Sequence, residues 1–322
     1  VAPGRSALIR TAVVGVGYLG RFHAQKYAAL PNSQLVGIAD PAEAARLKVA
    51  AELGVAGYSD YRELLGSVDA VSIVTPTALH YEVAKAFLDA GAHVLVEKPM
   101  TVTVAEGEGL IETAARAKRI LQVGHLERFN AAVLAVQPAL TVPRFIESAR
   151  LAPFKHRGTD VDVVLDLMIH DIDLILSIVR SRVVSVDAIG SSVFSKEIDI
   201  ANARLRFANG CVANATASRV SLKTERKLRL FQDDAYMSLD LQQKILTVIR
   251  KGTGVGTDGM PQVAIEENTY EQGDALKSEI EAFLEAITGG QPPPVTGEDG
   301  LLALSTAVSI AEQVASSMRK FS

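Results

Sequence analysis

The stretch VVGVGYLGRFHA, residues 13–24, decides the fold. A β-branched run leads into Gly15, Gly17 and Gly20, spaced G-x-G-x-x-G, and a helix-forming pattern follows. At a strand-to-helix junction such glycines permit a tight turn, close approach of a pyrophosphate, and close packing of helix on sheet. The helix N-terminus behind them offers unpaired amides and a positive dipole end to the phosphates. Taken alone the triplet is weak, because turns use glycine anyway. At the first junction of an alternating chain it predicts dinucleotide binding, with Gly15, Val16, Gly17, Tyr18, Leu19 and Gly20 as the phosphate loop.

The alternation extends outward from that loop. Short β-branched runs at 11–17, 34–40, 70–75, 93–98 and 120–125 are separated by helix-like segments near 18–30, 41–53, 60–66, 78–90 and 104–117. Strands that alternate with helices predict a doubly wound parallel sheet, an N-terminal Rossmann domain over residues 1–127. The rhythm then changes. A strand near 145–151 precedes an apolar helix, and strand-like runs at 183–193, 199–207, 211–219, 227–231, 234–240 and 244–250 follow with short turns between them. Consecutive strands without helices imply a mostly antiparallel sheet in a C-terminal α+β domain, residues 128–322. KGTGVGTDGMPQ (251–262) reads as a flexible connection. GGQPPPVTGEDG (289–300) reads as a stiff loop before a final helix near 300–318, which would pack back on the first domain.

Composition removes several classes of function. The 322 residues carry a net charge of −4, so no basic field exists to hold a nucleic-acid backbone. One cysteine, Cys211, rules out an intrachain disulfide framework and a cysteine-cluster zinc site. No uninterrupted apolar run of membrane-spanning length and no signal-peptide core is evident, so a cytoplasmic protein without a membrane partner is expected. With no H-E-x-x-H motif, and D-x-D pairs at 160/162 and 171/173 lacking a calcium-loop context, no metal is expected.

Asp40 ends the second β-run, 20 residues after Gly20. A carboxylate there can accept hydrogen bonds from both adenosine ribose hydroxyls and repels a 2′-phosphate, which favours NAD over NADP. The same residues, DPAE, also read as a helix start with Asp40 as N-cap, Pro41 at the first position and Glu43 closing a capping box. Arg46 lies near enough to weaken the exclusion of NADP.

VLDLMIHDIDLIL (164–176) reads as a buried helix, yet it contains Asp166, His170, Asp171 and Asp173. Charges in such a place are costly unless paired. At about 100° per residue Asp166, His170 and Asp173 share a narrow arc and Asp171 lies apart. Leu167, Met168, Ile172 and Ile175 form the apolar side. Asp171 and Asp173 are expected to be structural or interface acids.

Three further stretches carry a family resemblance: VTPTALH (74–80), VEKP (96–99) and LDLMIHDIDL (165–174). With the glycine loop, and over essentially the whole chain, they resemble the Gfo/Idh/MocA oxidoreductases. The resemblance implies a Rossmann domain joined to a domain with an open, mostly antiparallel sheet, and oxidation of sugars or related alcohols with NAD(P). It implies Lys98, Asp166 and His170 as the catalytic set, and a loop of Thr75, Pro76, Thr77 and His80 against the cofactor, joined by Glu97 and Lys98. The family commonly has Asn where Thr77 stands, which makes that contact less secure; His125 is a weaker candidate for the cleft.

Chemistry agrees with the resemblance. Oxidation of a secondary alcohol needs a base for the hydroxyl proton while hydride leaves the carbon. An imidazole suits that role, and Asp166 one turn earlier could orient it. Lys98 would hold the substrate oxygen and offset alkoxide charge, and the roles of lysine and histidine could be exchanged. Each residue also has a plainer reading: Lys98 as a solvated charge before Pro99, His170 as a hydrogen-bonded core histidine.

ARLAPFKHRGTDVD (149–162) gathers Arg150, Lys155, His156 and Arg157. That basic loop suits an anionic substrate such as a diphosphate, with Arg157, Lys98 and His170 as substrate contacts, although a solvated loop explains the charge equally well. GHLERFN and VVLDLMIHDIDL also look like bacterial members of the family that oxidise UDP-N-acetylglucosamine at the sugar 3-position. A free-sugar or inositol dehydrogenase is the alternative enzyme, and a non-catalytic cofactor-sensing regulator the alternative of another class. An open sheet face must be covered, so a homodimer or homotetramer is expected.

Overall fold

The computed structural model describes residues 8–155, 161–255, 261–271 and 273–321. Contacts group the chain into two units: residues up to Leu126 together with Asp274–Leu301, and Glu127–Gly273 together with the residues from Leu302 onward.

The first unit runs β1 (Ile9–Val14), α1 (Tyr18–Ala29), β2 (Ser33–Ala39), α2 (Glu43–Leu53), β3 (Ala56–Tyr58), β4 (Ala70–Ile73), α3 (His80–Asp89), β5 (His93–Glu97), α4 (Val104–Ala117) and β6 (Leu121–Gly124). The strands form one sheet in the order β3-β2-β1-β4-β5-β6, every neighbouring pair parallel. Strand order reverses between β2-β1 and β4, the doubly wound arrangement in which ligands sit at the carboxyl ends of the strands. The central strands are buried on both faces, as continuous apolar runs such as AVSI of β4 require. One element of the reading does not form: α2 begins at Glu43 with Ala42 as its N-cap, and Asp40 makes no capping box.

In the second unit come α5 (Ala131–Val136), β7 (Phe145–Leu151), a π-helical turn (Val164–Met168) continuing directly into α6 (Ile169–Val179), then β8 (Val183–Ser191), β9 (Ile200–Phe207), β10 (Val212–Ser218), β11 (Glu225–Phe231), β12 (Ala235–Asp240), β13 (Ile245–Val255) and β14 (Pro261–Thr269). Eight strands pair in the order β14-β13-β12-β11-β7-β10-β9-β8; β7 and β10 are parallel and the other pairs antiparallel. Alternating burial along β9 and β12 shows one face packed and one open. Ile172 and Ile175 of α6 belong to the same core as Ala203, Leu205, Ala213 and Leu230 of the sheet.

Three features of the chain's end differ from the sequence reading. Lys251–Val255 prolongs β13 and residues 261–269 form β14, which pair antiparallel, so the described part of the expected flexible connection is strand; residues 256–260 lie outside the described ones. A helix that the pattern analysis did not mark, α7 (Ala275–Gly289), packs Leu276, Ile280, Phe283 and Leu284 into the first unit's core. The final helix, α8, is longer than expected, Gly297–Phe321. By length and mean hydropathy α8 could cross a bilayer, but Ala303, Ala307, Ile310 and Val314 are spent in the second unit's core.

Candidate active site

The cofactor cradle follows from the three glycines, each for its own reason. Gly15 sits at φ +84° with the space for a Cβ filled by the Val74 carbonyl at 2.6 Å. Gly20 meets the Gly15 carbonyl, where a Cβ would lie 1.8 Å away, so α1 can approach β1 only without a side chain. Gly17 has nothing within 4 Å of its Cβ position and caps α1, whose first turn carries no acidic residue. Open space before unopposed helix amides is what a pyrophosphate requires. Val16 is buried, whereas Tyr18 is 73% exposed and packs edge-on against Phe22.

Asp40 does more than end β2. Its Oδ2 accepts from the Val16 amide at 2.8 Å and its Oδ1 from the Ala42 amide at 2.8 Å, so the carboxylate itself shapes the glycine loop. Those two bonds leave lone pairs for ribose hydroxyls. Arg46 reaches the backbone carbonyl of Asp40 at 2.7 Å.

The loop after β4 is tied to the end of β5 by His80. Its Nδ1 lies 2.9 Å from the Pro99 carbonyl and its Nε2 2.9 Å from the Thr75 carbonyl. The ring is 1% exposed, and burial pushes its pKa below the ordinary histidine value against the pull of those carbonyls. His80 therefore lies between the two loops, its single ring N–H directed at one of their carbonyls. Thr75 and Thr77 are part-buried and Pro76 is exposed. Glu97 and Lys98 are part-buried at the carboxyl end of β5, and the Lys98–Pro99 bond is cis. His125, at the end of β6, is 1% exposed.

In the second unit the helix resolves its four titratable side chains into two kinds. Asp171 is 2% exposed and receives Arg150, with Nη2 to Oδ1 at 2.9 Å and Nε to Oδ2 at 3.1 Å. Arg150 also donates to Glu127 at 3.0 Å. Burial alone would lower the Arg150 pKa; the charges of Asp171 and Glu127 override it and hold the guanidinium ionised. Asp173 is 1% exposed and takes a bidentate Arg128 at 2.6 and 2.7 Å. Asp166 and His170 remain part-buried. The π-helical turn carries Asp166, so the regular 100° spacing does not hold across 164–168; His170 and Asp173 both lie in the regular helix α6, where Asp173 is taken by Arg128.

This geometry corrects the basic-loop reading. Arg150 is consumed by a buried ion-pair cluster and is unavailable to a substrate. Lys155 is exposed, while His156 and Arg157 lie outside the described residues. Sequence reasoning also passed over Asp199 and Arg219, which secure the entrance to the helix. Arg219 donates to the Val161 carbonyl, the Val163 amide donates to Ile198, and Asp199 accepts the amides of Val193, Phe194 and Ser195 at 2.7–2.9 Å. The only hint was an unexplained Asp in SKEID (195–199).

Comparison with known proteins follows this geometry closely. The family described as "Oxidoreductase family, NAD-binding Rossmann fold" matches residues 9–125, and the GFO/IDH/MocA C-terminal domain matches residues 123–237. UDP-N-acetylglucosamine 3-dehydrogenase of Acidithiobacillus ferrooxidans is 42% identical over 303 residues, 94% of this chain and 96% of that protein. A solved structure of that enzyme superposes with a TM-score of 0.90, covering 95% of this chain and 97% of the other. Myo-inositol 2-dehydrogenase of Thermotoga maritima is 28% identical over 92% of this chain and 93% of its own.

Proposed function

This chain belongs to the Gfo/Idh/MocA oxidoreductase family, and we propose that within it the protein oxidises the 3-hydroxyl of UDP-N-acetylglucosamine or a closely related nucleotide sugar with NAD. The observation that carries the reading is the division on the helix: Asp171 and Asp173 are buried in ion pairs with Arg150 and Arg128, while Asp166 and His170, which match the family's motif, are only part-buried.

Gly15, Val16, Gly17, Tyr18, Leu19 and Gly20 would hold the pyrophosphate of NAD and Asp40 its adenosine ribose; the cofactor would supply the hydride acceptor. Thr75, Pro76 and Thr77 follow the switch-point strand β4, where the loop would flank the cofactor. We assign His170 as the base that takes the hydroxyl proton and Asp166 as the group that orients its ring and stabilises the imidazolium. Lys98 offsets the alkoxide charge that develops as hydride leaves. With Arg150 withdrawn into its ion pairs, recognition of the diphosphate falls to Lys155 and Arg157 of the loop.

An inositol dehydrogenase is the second reading, supported by the relative from Thermotoga maritima. Reduction of NAD, followed with UDP-N-acetylglucosamine, free sugars and inositols, separates the two. Turnover with the nucleotide sugar, lost in Lys98→Ala and His170→Ala, is the expected result; turnover with inositols alone would reject it. Exposed Val184 and Ile189 on β8, and Val263 and Ile265 on β14, favour a homodimer or homotetramer assembled through the sheet, which light scattering tests.

A further inference from the structure

Beneath the carboxyl end of β5 lies a polar cluster that binding and proton transfer, as assigned above, do not use. His23 and Tyr27 enter from α1, Ser72 from β4, Glu97 from β5 and Glu279 from α7. The Tyr27 hydroxyl is 2.9 Å from Ser72 Oγ, Ser72 Oγ is 3.1 Å from His23 Nδ1, and His23 Nε2 is 3.1 Å from Glu97 Oε1. An ionised Glu97 only accepts, so His23 carries its proton on Nε2 and accepts from Ser72 at Nδ1. Ser72 then accepts from Tyr27, a phenol that burial keeps protonated. Every donor in this chain is directed toward Glu97.

None reaches Glu279. That side chain is 0% exposed, and neither carboxyl oxygen has a hydrogen-bond partner among the described residues. Its backbone carbonyl accepts from Gln122 Nε2 at 3.1 Å, which ties this part of α7 to β6. The donor atoms of His23, Glu97 and Glu279 all lie within 4.8 Å of one another. A charge on the fully buried Glu279 beside the part-buried Glu97 carboxylate is disfavoured by both desolvation and like-charge repulsion. Burial, and then the Glu97 charge, raise Glu279 well above the ordinary carboxyl pKa. A divalent cation would also neutralise the pair, but both nitrogens of His23 are already engaged, which leaves too few donors for a closed site.

Glu97 is where the cluster meets Lys98. Its Oε2 accepts from the Lys98 amide at 3.3 Å, and its carboxyl group fills the space over Gly124, where a Cβ would lie 2.9 Å from both Cδ and Oε1. We propose that Glu279 is a protonated positioning residue, which shares its proton with Glu97 and so fixes the single negative charge that holds the start of the Lys98–Pro99 segment. Proton sharing requires the carboxyl oxygens, which lie within 4.8 Å of one another, to close to hydrogen-bond distance. The role of Lys98 rests on the proposed reaction; the protonation of Glu279 does not.

The test compares full-length wild type with Glu279→Gln, an isosteric neutral donor, and Glu279→Leu. Infrared difference spectra near neutral pH should contain the carbonyl stretch of a buried protonated carboxyl, sensitive to deuterium exchange and absent from Glu279→Gln. This readout needs no substrate, so failure of the proposed reaction leaves it intact. With UDP-N-acetylglucosamine, kcat of Glu279→Gln and its pH profile should stay within about threefold of wild type. Glu279→Leu should lose about tenfold or more in kcat with KM for NAD little changed, since a positioned donor is absent. Absence of the carboxyl band, loss of kcat in Glu279→Gln equal to that of Glu279→Leu, an unimpaired Glu279→Leu, or a stoichiometric metal that Glu279→Gln no longer holds would each overturn the proposal. If Glu279→Leu does not fold, the spectrum and Glu279→Gln still decide it.

Discussion

Arg150 and Asp171 form a buried pair, guanidinium Nη2 against carboxylate Oδ1 at 2.9 Å, with both side chains at most 5% exposed. The pair joins β7 to α6, the strand and helix that frame Asp166 and His170. Removing one member leaves the other charged and out of water, which costs about 3–5 kcal/mol. Arg150→Met should therefore lower unfolding free energy by that order in denaturant titration. A combined Arg150→Met and Asp171→Leu should recover much of the loss, because Asp171 is then not stranded and Glu127 keeps Arg226 at 3.7 Å.

The three glycines of the phosphate loop should respond differently to alanine. Gly20→Ala sets a Cβ 1.8 Å from the Gly15 carbonyl, and Gly15→Ala forces a positive φ as well as a clash with Val74. Both should lower Tm strongly. Gly17→Ala meets open space and should leave Tm nearly unchanged while weakening NAD binding about tenfold or more, measured by titration calorimetry.

Gly124→Ala is expected to displace the Glu97 carboxyl group that occupies its Cβ position. The site is part of β6, where alanine is otherwise acceptable, so folding should survive with a modest loss of Tm. Turnover should fall more than Tm does, because the Lys98 amide loses its acceptor. Parallel kcat and thermal-melt measurements separate these effects.

His93 carries a stability signal in pH. Its Nδ1 accepts from the Ile120 amide at 2.9 Å, and burial with the nearby Arg119 charge pushes its pKa down to about 4. The unfolded chain protonates this ring near its ordinary value while the folded chain does not, so the contribution is full above about pH 6.5 and is lost as pH falls toward 4. Part of the ring meets solvent, which limits the effect to roughly 1–2 kcal/mol. His93→Gln should flatten the dependence of unfolding free energy on pH over that window.

How much of this was legible in the sequence depends on whether the signal was local. The glycine loop, the alternating strands and the shift to an antiparallel sheet each rest on neighbouring residues, and the structure contains them. Arg150 was misread because its partners, Glu127 and Asp171, lie 23 and 21 residues away, and local charge density cannot show that a cation is already neutralised. The regular helical wheel placed Asp166 in one arc with His170 and Asp173; the π-helical turn, which no residue pattern announced, shifts the phase of Asp166 relative to the other two. α7 was passed over although its apolar residues fall at helical spacing, and Glu279 within it acquires meaning only beside His23 and Glu97, more than 180 residues earlier. Asp40 had two readings; the capping box is absent, and the carboxylate is bonded to the glycine loop itself.

The most direct measurement of the central claim uses UDP-N-acetylglucosamine deuterated at C3 of the sugar, incubated with the protein and NAD. Deuterium should pass to the reduced nicotinamide, with a slower rate than the protiated sugar and no transfer in His170→Ala. Reduced cofactor formed without deuterium, or formed only from inositols or free sugars, would contradict the assignment of this chain as a nucleotide-sugar 3-dehydrogenase.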